Sequence, residues 1–168
     1  LSYLGIDEVV WDESQSRVIK AQDETEGYIL ARSTEANRRP VAFVFAGGIE
    51  HRDGSEVILD ESILKRSLNY GLIARGLAYP TYYNGLFSDL RLPLTRAMAH
   101  ARSEGRGIWP FDLTTKGFSV PGLEPLTENV VILPKLFRRL VDYMGDGGMM
   151  DGFRAHLQAR CEPLVRVS

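Results

Sequence analysis

The stretch whose reading decides the fold runs from Leu72-Ile-Ala-Arg-Gly76-Leu77-Ala78, through Tyr82 and Leu90, to Ala99-His-Ala-Arg-Ser-Glu-Gly-Arg-Gly-Ile108-Trp109. Two amphipathic helices bracket it. Asp60 or Ser62 can cap the first, which is predicted to reach about Arg75 with Ile63, Leu64, Leu68, Leu72 and Ile73 on one face. Gly76 then ends it, because glycine takes positive φ without penalty. The second is predicted from about Asp89 to Glu104, with Leu90, Leu94, Met98 and Ala101 turned inward. Pro93 is read as a first-turn residue, where its missing N–H is harmless. Ala99 and Ala101 allow this helix a close approach to whatever lies beneath, Gly105 stops it, and Trp109 is expected to be buried at its foot.

Upstream, the pattern changes from helical spacing to short β-branched runs. Leu1–Ile6 reads as the last turn of a helix stopped at Gly5. Glu8–Asp12, Arg17–Lys20 and Tyr28–Arg32 read as strands. Thr34–Arg39 is a polar loop. Pro40-Val-Ala-Phe-Val-Phe-Ala46 is the clearest strand, bounded by Gly47-Gly48. Residues 48–56 form a hairpin-like loop in which Asp53-Gly54 makes the turn, and Val57–Leu59 is expected to return as a short strand. Strands first and helices afterwards indicate an α+β chain, for which a small barrel capped by helices is the natural candidate.

Downstream of Trp109-Pro-Phe111 the chain reads as irregular to about Asn129. Two helices are expected after it, Pro134–Met144 and Gly152–Arg160, separated by Gly145-Asp-Gly-Gly148. In the first, Leu136, Leu140 and Tyr143 share one side, and Lys135, Arg138 and Arg139 lie on the other. That basic side is either a solvated face or a phosphate contact. Met144, Met149 and Met150 make an apolar link that packs or meets a partner. Leu164–Ser168 reads as a strand that stops abruptly.

At 168 residues, with 44% apolar and 25% charged side chains, the chain can build a sizeable core and is no candidate for long disorder. Twenty basic against 22 acidic residues leave a net charge of −2, so global charge argues for no polyanion partner, although it is silent on local patches. Cys161 is the single cysteine, which excludes an intramolecular disulfide and fits a reducing compartment. His51, His100 and His156 lack ligand spacing. No run approaches the ~20 apolar residues of a membrane span, and no signal peptide is visible.

The Gly76–Trp109 block resembles the C-terminal half of staphylococcal-nuclease-like domains, which share a helix ending in Gly-Leu-Ala, an aromatic-bearing loop, and an Ala-rich helix closing on Gly-x-Ile/Leu-Trp. Arg39-Pro-Val-Ala-Phe-Val-Phe45 resembles the family strand that starts with an arginine, and Glu8-Val-Val-Trp-Asp12 the strand before it. The resemblance covers roughly residues 1–112. It implies an OB-fold-type barrel, incomplete at its N-terminus as the sequence stands, with residues 113–168 as an added helical extension. The loop Gly47–Ser55 and the helix before Gly76 are both longer than the family pattern.

The resemblance further implies phosphodiester cleavage in DNA or RNA with one Ca²⁺, a hard cation held by oxygen ligands. A glutamate would activate water and two arginines would neutralise the phosphate as charge develops. In the family the metal carboxylates, that glutamate and one arginine precede the first helix. If Leu1–Ile6 ends that helix, they precede this chain. A rival register sets Asp7 as a metal-binding aspartate, with Ser2 and Val10 where arginine and glutamate belong, but leaves no room for the first helix. Only the second arginine carries over, onto Arg39, with Arg38 beside it. Tyr82 matches an aromatic that contacts the nucleotide. The next such position, often tyrosine, is Asn84, and the adjacent Tyr83 would face the other way on an extended segment. Arg39 also reads as a solvated or salt-bridged loop residue, and Tyr82 as rim packing.

Two functional classes follow from this. One is a Ca²⁺-dependent nuclease with no metal ligands identified in this chain. The other is a catalytically inactive module of the same fold that binds nucleic acid, or a protein through the loop 47–55 or the C-terminal extension.

Overall fold

The structure, a computed structural model, describes residues 4–6, 9–82 and 85–160. It is mixed α+β, with two small antiparallel sheets and six α-helices among the described residues. Two compact units divide the chain, Leu1–Gly107 and Ile108–Ser168, each with its own apolar core. The sequence reading drew its boundary at 112/113.

In the first unit, β1 (Val10–Trp11) pairs with β2 (Val18–Lys20). The Asp12 carboxylate organises the turn between them, accepting from the Ser16 and Arg17 amides at 2.8 and 3.2 Å. β3 (Gly27–Thr34) pairs with β4 (Pro40–Ala46) in a register running from Gly27↔Ala46 to Thr34↔Pro40. The cross-strand rings of Tyr28 and Phe45 stack at 4.7 Å, and Phe45 is buried. Among the described residues neither sheet closes into a barrel. Val57–Leu59, expected as a strand, pairs with nothing in the sheets; Ile58 is 89% exposed while Leu59 turns onto the helical core. A β-branched run without a neighbouring strand has no ladder to join.

The helix expected over 60–75 is two helices, α1 (Glu61–Lys65) and α2 (Leu68–Ala74). Ser67 separates them. Its buried hydroxyl donates to the Leu64 carbonyl at 2.6 Å and accepts from the Tyr70 amide at 3.1 Å, so it closes one helix and caps the next. Asp60 caps α1 through the Ile63 amide at 2.8 Å. α3 (Ser88–Ser103) runs unbroken through Pro93, which is buried beyond the first turn rather than inside it. Packing thus outweighs the hydrogen bond that proline cannot give to Asp89. Leu64, Ile73, Leu90, Leu94 and Ala97 form the core of the helical layer, with Phe43 of β4 packed against it. Ala101 is fully buried; Ala99, expected at the same close approach, is exposed.

Asn69 joins this layer to the sheet. Its Oδ1 accepts the Val44 amide at 2.9 Å and its Nδ2 donates to the Ala42 carbonyl at 3.3 Å. One side-chain amide therefore satisfies the edge of β4 that faces away from β3, as a strand would.

At the C-terminal end of α2, Gly76 has φ +71° and is buried. Arg106 Nη1 donates to the Ala74 carbonyl at 3.0 Å, and Gly107, at φ +55°, lies directly on the Gly76 carbonyl.

The second unit contains α4 (Leu123–Asn129), α5 (Pro134–Gly145) and α6 (Phe153–Ala159), with a 3-10 turn over Met150–Gly152. α4 lies in the segment expected to be irregular. Pro125 in its first turn and a single fully buried apolar residue, Leu126, give it little periodicity to read. Val120, Leu126, Ile132 and Leu140 form the core, and Trp109, near the start of this unit, is buried. Tyr143 covers Gly148 and Gly152 and packs on His156 at 4.6 Å. No helix of the described residues is long and apolar enough to cross a membrane.

Candidate nucleic-acid interface

Arg39 closes the turn of the β3–β4 hairpin. The Glu35 amide donates to the Arg39 carbonyl at 2.9 Å. Glu35 Oε1 accepts from the Asn37 amide at 3.0 Å, the Arg39 amide at 3.2 Å and Arg39 Nε at 2.9 Å, while Oε2 accepts from Asn37 Nδ2 at 3.2 Å. The Arg39 side-chain bond, followed by these amide bonds, holds the Glu35 carboxyl below the usual glutamate range. Arg39 is 74% exposed and Glu35 23%. The arginine is thus a solvent-facing cation already matched to a carboxylate, and a phosphate would reach it by displacing Glu35. Exposed pairs of this kind contribute little to stability, so the exchange is inexpensive. Arg38 is exposed at φ +63°, a left-handed turn conformation held by its amide bond to the Glu35 carbonyl at 2.8 Å.

Tyr82 behaves differently. It is half-buried against the helical core, with its hydroxyl 2.7 Å from Thr95 Oγ1 of α3. Burial raises its phenol above the usual range, and the Thr95 bond opposes that rise. The anchoring favours a packing role for this tyrosine. Arg39 and Tyr82 take their partners from different elements, the hairpin turn and α3. Asn84, Tyr83, Asp7 and Cys161 lie outside the described residues.

Sequence reasoning missed one arrangement here. The β3–β4 register shifts between Ala31 and Ser33, so Arg32 is the extra residue of a bulge. Its guanidinium stands over the ring of Phe87 at 4.4 Å, and Phe87 is 57% exposed at the N-cap of α3. Arg32 reads in sequence as the last residue of a strand, and no local pattern announces a bulge or a contact 55 positions away.

Among the described residues no group of three or more His, Cys, Asp or Glu is placed to hold a metal ion. Ca²⁺ takes roughly six to eight oxygen ligands. The described residues around Arg39, with Glu35 already committed to it, do not fit that donor set. Comparison with family models, with curated proteins and with solved structures gives no match for this chain.

Proposed function

We propose that this chain is a nuclease-type domain of staphylococcal-nuclease-like architecture whose ligand is DNA or RNA. The observation that carries the reading is the contact of Gly107 with Gly76. The two glycines sit at opposite ends of the block on which the resemblance rests, and their packing gives both positions one purpose. The β3–β4 hairpin joined to α2 by Asn69, with an arginine just before β4, supports the same reading. The outer edge of β3, unpaired among the described residues, is where an OB-type barrel would gain its further strand.

On this reading Arg39 contacts the phosphodiester backbone by exchanging Glu35 for phosphate, with Arg38 adding charge. Ca²⁺, when bound in such domains, would supply Lewis-acid stabilisation of the phosphate. The second reading, a binding module without turnover, is favoured by the one carboxylate described at Arg39 being already paired to it.

Release of acid-soluble nucleotides from single-stranded DNA, with Ca²⁺ and with chelator, separates the two. Ca²⁺-dependent release that Arg39→Ala abolishes supports the nuclease. Salt-sensitive binding without release supports the module. The absence of both release and binding overturns the nucleic-acid reading.

A further inference from the structure

We infer that Arg32 and Phe87 form a second contact for single-stranded nucleic acid, distinct from Arg39, in which Arg32 takes a phosphate and the exposed Phe87 ring takes a base. The inference rests on the nucleic-acid reading above and names a site within it.

Three observations converge. First, strict alternation along β3 would place Arg32 on the face of Tyr28 and Leu30, which are half-buried. The bulge between Ala31 and Ser33 releases it from that face, and every residue from Ala31 to Thr34 is exposed. Bulges commonly re-aim a side chain in this way next to a binding site. Second, the guanidinium lies over Phe87 at 4.4 Å. A guanidinium attracted to a ring keeps its five N–H donors, the fork that matches phosphate oxygens, because the ring accepts none of them in a conventional hydrogen bond. Third, no carboxylate among the described residues pairs with Arg32, in contrast to Arg39. A phosphate reaching Arg32 displaces nothing, and the ring has already reduced the freedom that a long side chain loses on binding.

Phe87 adds what an isolated arginine lacks. It is an exposed aromatic ring beside a fixed positive charge, the combination that single-strand binders use for a base and its neighbouring phosphate. A duplex hides its base faces in the stack, so the arrangement suits a single strand.

The test is fluorescence anisotropy of a labelled oligothymidylate on the full chain across a salt series, with Arg32→Ala, Arg32→Lys and Phe87→Leu, and circular dichroism to confirm folding. Arg32→Ala is expected to weaken binding about tenfold and to reduce the slope of log K against log salt by about 0.7, the value for one phosphate of a single strand. Phe87→Leu is expected to weaken binding about tenfold with the slope unchanged, because a base stack and not a charge is lost. Arg32→Lys keeps the slope and loses part of the affinity. Wild-type binding that Arg32→Ala leaves unchanged in affinity and slope overturns this site and spares the nucleic-acid reading. Absence of wild-type binding overturns both. Equal loss of poly-glutamate and oligothymidylate binding in Arg32→Ala, with Phe87→Leu silent, also overturns it, by showing a general anion site.

Discussion

Gly107 sits on the carbonyl of Gly76, so close that a Cβ at position 107 would overlap the Gly76 carbonyl and come within 2.9 Å of the Arg75 carbonyl oxygen. The end of α2 and the segment after α3 therefore meet backbone to backbone, and Arg106 ties the same junction by its bond to the Ala74 carbonyl.

Gly107→Ala should accordingly be among the most damaging small substitutions in the first unit. It combines a left-handed backbone with a clash against main chain, which cannot move aside as a flexible side chain can. A loss of about 2–3 kcal/mol is expected. Gly54→Ala is the control. Its φ is also positive, at +79°, but a Cβ there meets nothing within 4 Å, so only the backbone penalty of about 1 kcal/mol remains. Urea unfolding followed by circular dichroism should rank the two; equal midpoints would show that the Gly76 contact has no weight.

Asn69→Ala removes both bonds to the edge of β4. The Val44 amide and Ala42 carbonyl lose their partner at a partly buried position, which costs about 1–3 kcal/mol. The sharper readout is local. Hydrogen exchange at the Val44 amide should accelerate markedly, while Phe43 and Phe45, whose amides face β3, stay protected. Asn69→Asp keeps an acceptor for Val44 but sets a carboxylate against the Ala42 carbonyl, and should destabilise as well.

Glu35 and Arg39 predict a pH effect of defined sign. The Glu35 carboxyl lies below its ordinary value of 4.5 because the charged form is hydrogen-bonded. Its contribution is therefore complete above that value and is lost as pH falls through the lower, folded-state value. Both residues are surface groups, so Arg39→Ala should leave the urea midpoint unchanged within error. Glu35→Gln should instead raise oligonucleotide affinity at neutral pH by removing the carboxylate charge that competes with phosphate for Arg39. Unchanged or weaker binding in Glu35→Gln would remove Arg39 from the interface.

Tyr82 predicts an alkaline signature. Burial disfavours its phenolate, so the folded protein holds this proton more tightly than the unfolded chain does. The stabilisation is complete below the ordinary tyrosine value of 10.0 and is lost as pH rises through the folded-state value. Absorbance at the phenolate band should show a late-titrating component that Tyr82→Phe removes. The same substitution deletes the Thr95 hydrogen bond at about 0.5–1.5 kcal/mol. If the late component survives in Tyr82→Phe, it belongs to another tyrosine.

Much of the fold was legible in the sequence because it rests on local signals. Pro40–Ala46 is a β-branched and aromatic run stopped by two glycines, and it forms a strand over those residues. Asp60 is a side-chain cap, and α3 and α5 are long enough for their apolar spacing to show. The α+β character followed from their order. The break at Ser67 was not legible, since a serine hydroxyl closes a helix only when its neighbours bury it, and the apolar spacing continues across the gap. Nor was α4, whose helix depends on the burial of Leu126 rather than on periodicity.

For the candidate site the division is sharper. By itself the sequence determined that an arginine precedes the best strand, that glycines end both central helices, and that no cysteine cluster could hold a metal. Only the tertiary structure decided what those residues meet: Glu35 for Arg39, Thr95 for Tyr82, the Gly76 carbonyl for Gly107 and the Phe87 ring for Arg32. The physical reason is range. Capping, turn and strand preferences are settled among residues a few positions apart. A bulge that re-aims an arginine, or a carbonyl that forbids a Cβ 31 positions later, exists only once distant segments have packed.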